Sequence, residues 1–255
     1  MSSETNSSKL RSNDLIVESF LVYDKEEKMN KGRVEAFTDA VVAIILTIMV
    51  LEFKTPETAK WTGIIHQLPY FFAYIVSFLF VGVAWYNHHY MFALALRISK
   101  KVYWINNLWL FSMSLLPVAT GWVGKFPQAT GPEYLYLFVF IFWSLSYLWL
   151  SDAIRKTPEH VHTAVSQKIA QMFPFKFLSS IFFPLSVVIT AISIYFYPAL
   201  GISITFVGLI ILSFLTPSDS DQVSQQPTPN QHSKYRRDLT IAAVFFNHIL
   251  RAKYK

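Results

Sequence analysis

The sequence predicts an all-α integral membrane protein with six transmembrane helices per subunit, and three observations predict it. Apolar residues make up 53% of the 255-residue chain and charged residues only 15%. The apolar residues arrive in long blocks, and the basic residues gather between alternate blocks. An ordinary soluble domain carries roughly 25% charged residues, so a deficit of this size points to lipid as the solvent. The chain has no cysteine, which excludes disulfides, thiolate metal sites and a cysteine nucleophile.

Residues 1–32 mix charges of both signs and lack the apolar stretch and small-residue cleavage site of a signal peptide. They are expected to form a cytosolic arm. A spanning helix needs roughly 20 mostly apolar residues, and residues 33–216 hold six segments near that length. The first is about Val34 to Leu51, and the second runs from Leu68 to Phe92, entered through Pro69. The third covers Val102 to Val123 and the fourth Tyr134 to Leu150, divided by a short turn-rich loop in which Pro127, Gly131 and Pro132 are expected to break any helix. The fifth is about Phe177 to Tyr197, with Pro184 as a kink, and the sixth, the shortest, about Leu200 to Leu215. Residues 217–255 have the Ser, Gln and Pro bias of a flexible cytosolic tail. Within the tail, Leu239 to Leu250 is apolar but too short to span; it suits a helix lying on the membrane or docking on another tail.

Cytoplasmic loops carry the excess of Lys and Arg. With six spans and both termini in the cytoplasm, only Lys54, Lys60 and Lys125 of the 22 basic residues fall on the far side. Five spans would leave one basic terminus outside. The net charge of +6 therefore reads as an orientation signal with some attraction to anionic lipid head groups, and not as a nucleic-acid surface.

The first span opens with Arg33, Phe37, Thr38 and Asp39. An N-cap at Thr38 or Asp39 is the simplest reading, but Ala40 to Leu51 would then cover only ~18 Å of a hydrocarbon core of ~30 Å. The helix is expected to begin near Arg33, which puts Asp39 more than a turn inside it. An unpaired carboxylate there costs about 2.5 to 3.5 kcal/mol on insertion scales, so Asp39 needs partners. Trp85, Asn87, His88 and His89 end the second span, and Trp104, Asn106 and Asn107 open the third, at the same depth. A buried network is predicted, joining Thr38 and Asp39 to Trp85, His88 and one of the two Asn residues. The alternative leaves these residues wet at the interface, with Trp as part of an aromatic belt.

Ala40, Ile44, Thr47 and Leu51 are spaced to share one helical face, narrow and almost wholly apolar. Periodicity alone does not separate a core or subunit contact from a pore lining. Here a resemblance adds information. Arg33-x-x-x-Phe37-Thr38-Asp39 resembles the R-x-x-x-F-[ST]-D signature of the transmembrane protein 175 family, the endosomal and lysosomal potassium channels and their bacterial relatives. Trp85-x-x-His88-x-x-x-Phe92 and the run from Asn106-Asn107 to Pro117 are similar to the family's patterns in the second and third spans. Spans four to six match only in hydropathy and number. Thr38 departs from the commoner Ser but keeps the hydroxyl.

The resemblance implies a potassium-permeable cation channel, with no resident cofactor, whose pore is lined by the first helix. A TVGYG filter is absent, as that implies, and Thr120-Gly-Trp-Val-Gly124 is a loose echo best read as a helix end. The signature occurs once, as in bacterial members, so a homotetramer in a bacterial plasma membrane is implied. Carried over, the constricting positions are Ile44, Thr47 and Leu51, with Ile44 as the gate: a ring of apolar side chains closes a pore by dewetting. Thr47 hydroxyls would favour potassium over sodium modestly. Relatives also imply some proton permeation, and His88, which ordinarily titrates near neutrality, raises the question of pH dependence.

Two other classes compete. A metal hydrolase would draw on His88, His89, His160, His162 and Asp152, but needs about three converging ligands, and adjacent histidines on a helix point ~100° apart. A secondary transporter often shows internal repeats and broken helices; no repeat is evident, and Pro117 and Pro184 are weak substitutes.

Overall fold

Every element found in the computed structural model is a helix, and no strand occurs among the described residues, which are 30–56, 59–158, 160–161 and 163–215. The arm, the tail with its Leu239 to Leu250 patch, and His162 lie outside them. Among the described residues ten helices follow one another: α1 (Lys31–Leu51), α2 (Trp61–Ile65), α3 (Leu68–Leu94), α4 (Lys100–Ser114), α5 (Leu116–Lys125), α6 (Thr130–Arg155), α7 (Ala164–Gln171), α8 (Phe173–Leu178), α9 (Phe182–Phe196) and α10 (Leu200–Leu215). Three of them, α1, α3 and α6, are long and apolar enough to cross a membrane, at 21, 27 and 26 residues. At ~1.5 Å per residue each exceeds the ~30 Å hydrocarbon core.

The third predicted span is two helices. α4 ends at Ser114 and α5 starts at Leu116, with Leu115 between them still in the right-handed helical region (φ −81°, ψ −15°). Pro117 explains the break: it has no N–H to continue the ladder, and its ring crowds the carbonyl one turn back. The fifth span also begins later than expected. α8 stops at Leu178, and α9 runs only from Phe182, with Pro184 in its first turn instead of kinking its middle. Gly131 and Pro132 likewise do not break a helix: they lie in the first turn of α6, where a missing N–H costs nothing. α9 and α10, at 15 and 16 residues, are apolar but short.

α1 lies against α3 and is pinned at both ends. Lys31 Nζ donates to Ala95 O at 2.9 Å, just beyond the last turn of α3, where helix carbonyls lack partners. At the other end Tyr70 OH donates to Met49 O at 2.9 Å. A chain of hydroxyls joins α6, α3 and α5. Tyr136 OH lies 3.0 Å from Ser77 Oγ, Ser77 Oγ lies 2.7 Å from Thr120 Oγ1, and Thr120 donates to Leu116 O of its own helix. Because Thr120 spends its proton on that carbonyl, Ser77 donates to Thr120 and Tyr136 to Ser77. α3 and α5 approach closely at Gly124, where an added Cβ would stand 2.7 Å from the Tyr70 Cα. Only a residue without a side chain permits that approach.

The interior is aromatic and apolar: Phe80, Phe92, Trp109, Tyr136 and Tyr147 are all fully buried. The outer faces are apolar as well. On α9, Leu185, Val188, Ile189 and Ile192 are each more than half exposed, an arrangement stable in lipid and costly in water.

Candidate functional site

α1 presents two faces with different chemistry. Val34, Thr38, Val42, Ile45 and Met49 are buried against the rest of the chain. The opposite face is uncovered: Arg33, Phe37, Ala40, Ile44, Thr47 and Leu51 are all exposed, Ile44 by 55% and Leu51 by 80%. These six alternate steps of four and three, so the stripe seen from Ala40 onward extends two positions towards the N-terminus. Arg33 and Phe37, which stand with Thr38 and Asp39 in the motif that opens the span, lie on this uncovered face. A stripe of period 3.5 keeps one orientation along a helix that packs around a common axis with copies of itself. Thr47 Oγ1 donates to Ile44 O at 2.8 Å, which spends its proton and leaves its lone pairs as acceptors.

Behind this face the polar motif resolves into two separate units. Asn106 of α4 is the centre of the first. Its Nδ2 donates to Thr38 Oγ1 at 2.9 Å, and its Oδ1 lies 2.7 Å from His88 Nε2. A carbonyl oxygen only accepts, so His88 carries its proton on Nε2. Thr38, His88 and Asn106 are all buried, and one side chain ties α1, α3 and α4 together. The His88 ring is sandwiched, 4.1 Å from the Phe92 ring and 4.5 Å from Trp109, both stacked. Trp109 was not singled out from sequence, since nothing in its spacing indicates the stacking; its fully buried indole forms one wall of the His88 slot.

Asp39 stands apart from that core. It accepts from Trp85 Nε1 at 2.8 Å, near the surface, and Trp85 stacks on His89 at 5.4 Å. The carboxylate thus gains a donor without being buried, which lowers the insertion cost. Asn107 is not part of either unit: its Nδ2 donates to Tyr103 O one turn back in α4. Trp104 faces outwards, 63% exposed.

The residues considered for a metal centre do not converge, and no group of three or more His, Cys, Asp or Glu able to hold an ion occurs among the described residues. His160 is fully engaged, with Leu96 N donating to its Nε2 at 2.9 Å and its Nδ1 lying 2.9 Å from Ile154 O. It serves as a staple between the α3–α4 connection and the end of α6. Asp152 pairs with Arg155 and Lys156, each at 2.7 Å. A second acidic residue that sequence reasoning passed over is Glu133, buried in the first turn of α6 against Gly201 of α10. Its place beside the turn-rich loop concealed it; its signal was being acidic at the rim of an apolar segment.

Comparisons with known proteins converge on one family. The model of the family described as "Endosomal/lysosomal potassium channel TMEM175" matches residues 33–117, from the start of the α1 stripe to Pro117. A potassium channel of Chryseobacterium sp. (strain P1-3) is 38% identical over 189 residues, covering 74% of this chain and 94% of that protein. The endosomal/lysosomal proton channel TMEM175 of Bos taurus is 25% identical over 213 residues, covering 74% of this chain and 44% of the longer animal protein. The crystal structure of a lysosomal potassium-selective channel TMEM175 homolog from Chamaesiphon minutus superposes with a TM-score of 0.60 at 24% identity, covering 75% of this chain and 98% of that one.

Proposed function

This chain belongs to the TMEM175 channel family, and on that premise we propose that it is a potassium-permeable cation channel of the membrane, assembled as a homotetramer with α1 around a central pore. The family is one of ion channels and not of enzymes. One observation carries the pore assignment: the Ala40, Ile44, Thr47 and Leu51 stripe is left uncovered by its own chain, while the opposite face of α1 is locked to α3, α4 and α5. A helix held so firmly from behind offers this face to something outside the protomer, and four copies facing a four-fold axis would close a ring.

In that ring Ile44 is the gate. Four Ile side chains exclude water from a narrow passage, and an ion stripped of its shell does not cross. Thr47, one turn further along, supplies four hydroxyl oxygens whose lone pairs replace part of the shell of a passing ion, giving potassium a limited advantage over sodium. Leu51 completes the apolar lining, and Arg33 marks the other end of the stripe. The Thr38–Asn106–His88 unit and the Asp39–Trp85 pair hold α1 at the rotation that aims Ile44 inwards. Six membrane crossings require α4 with α5 to act as one span and α9 and α10 to cross as short helices. Both termini are then cytoplasmic, with residues 1–32 an arm and 217–255 a tail, and the membrane is a bacterial plasma membrane. Some proton passage accompanies potassium, a reading supported by the likeness to the proton channel of Bos taurus.

Potassium flux into proteoliposomes tests the assignment. Ile44→Asn wets the constriction and raises resting flux by about ten-fold or more, the effect of removing ~1.4 kcal/mol or more from the barrier. Flux identical to wild type in Ile44→Asn and Leu51→Asn alike would remove α1 from the pore.

A further inference from the structure

Away from the α1 stripe, α3, α6, α8, α9 and α10 enclose a cavity of about 240 Å³. A dry cavity of ~150 Å³ accommodates benzene, so this one has room for about nine heavy atoms. Its walls are apolar and aromatic, with Phe80, Ala84 and Tyr147 among them, and none of the lining residues is Asp, Glu, Lys, Arg or His.

Three wall residues on α6 depart from that apolar character. Trp143 Nε1, Ser144 Oγ and Tyr147 Oη are buried without any hydrogen-bonding partner. Trp143 is 5% exposed, and Ser144 is fully buried. Two serines of the same helix avoid this situation by bonding back to it: Ser146 donates to Phe142 O and Ser151 to Tyr147 O, each at 2.8 Å. On the facing walls Ser186, Thr190 and Thr205 do the same. Leaving one donor and two hydroxyls unmatched in an apolar wall is costly, and a ligand that pairs with them recovers the cost. The cavity also has an opening. Gly208 of α10 lines it and is exposed, and a Cβ built there meets nothing within 4 Å.

We propose that this cavity is a binding site for a neutral amphiphile of the bilayer, a short alkyl chain ending in one hydroxyl. The hydroxyl accepts from Trp143 Nε1 and donates to a wall oxygen, Ser144 Oγ or Tyr147 Oη, the chain fills the aromatic pocket beside Phe80, and Gly208 is the way in. Carboxylates and amines are disfavoured because no lining group balances a charge, and plain hydrocarbons leave these polar groups unmatched. The site is independent of how ions permeate, so it stands or falls separately from the pore.

A diazirine-bearing octanol is the probe, photolysed with the full chain in lipid nanodiscs and mapped by mass spectrometry. Label should concentrate in residues 137–147 and 204–212 and be displaced by excess 1-octanol. Octane should compete about ten-fold less well, the value of one hydrogen bond. Ser144→Ala combined with Tyr147→Phe should weaken octanol competition by a similar factor. Gly208→Leu, which places a side chain across the opening and suits a helix, should abolish the label while the protein retains its assembly and thermal stability. Label that is not saturable and spreads over outward residues such as Phe182 would overturn the proposal as mere partition into lipid. Equal competition by octane and octanol would overturn hydroxyl recognition.

Discussion

Replacing Asn106 by Ala tests the buried unit that holds α1 in place. The substitution removes both of its interhelical hydrogen bonds, to Thr38 at 2.9 Å and to His88 at 2.7 Å. In water each buried orphan would cost about 1 to 3 kcal/mol. In a membrane the unfolded reference state finds other partners, and measured interhelical bonds average about 0.6 kcal/mol with a maximum near 1.7. Two such bonds set the expected loss at about 1 to 3 kcal/mol. Asn107→Ala provides the control. It is the same chemical change one residue away, but it removes only a bond within α4 to Tyr103 O, and its cost should stay below about 0.5 kcal/mol. The assay is reversible unfolding in mixed detergent micelles, followed by tryptophan fluorescence. Equal losses for the two variants would refute the reasoning, because sequence neighbours would then matter equally irrespective of where the helix turns them. If the loss at Asn106 is confined to stability, the unit is a fastener; if potassium flux changes as well, it also sets the rotation of the pore stripe.

Other outcomes follow from the same geometry. Thr47→Ala removes four acceptor hydroxyls from the proposed pore and should lower the potassium-to-sodium permeability ratio towards one, read from reversal potentials in planar bilayers; an unchanged ratio puts selectivity elsewhere. Gly124→Ala forces a Cβ to within 2.7 Å of the Tyr70 backbone and should destabilise by about 1 to 3 kcal/mol through overpacking. Gly82→Ala, where a Cβ meets open space, should instead stabilise by up to about 1 kcal/mol through helix propensity; thermal unfolding of the pair tests the opposite signs. Chelator treatment should leave ion flux intact, because both nitrogens of His160 are already occupied; a chelator-sensitive flux would reopen the metal reading.

Much of the molecule was legible before any coordinates. Charge scarcity and apolar blocks identified lipid as the solvent, because the cost of burying charge in hydrocarbon acts on composition itself. A start of α1 near Arg33 followed from the rise per residue, and the helix begins at Lys31; the depth of Thr38, Trp85, His88 and the Asn pair followed from counting along helices. The α1 stripe was visible as spacing, since neighbours on a helix face are fixed by local geometry.

What sequence could not supply is the rotation and closeness of one helix against another. Which Asn turns inwards, why Asp39 meets Trp85 while His88 meets Asn106, and that Trp109 walls the His88 ring are decided by packing among α1, α3 and α4. The same holds for Arg33 and Phe37 on the open face of α1, and for the pocket behind Trp143 and Ser144. Residue order specifies a helix and its faces because hydrogen bonding within a helix is local. Which face is covered depends on side chains distant in the chain filling shared space, and that is known only once the helices have packed.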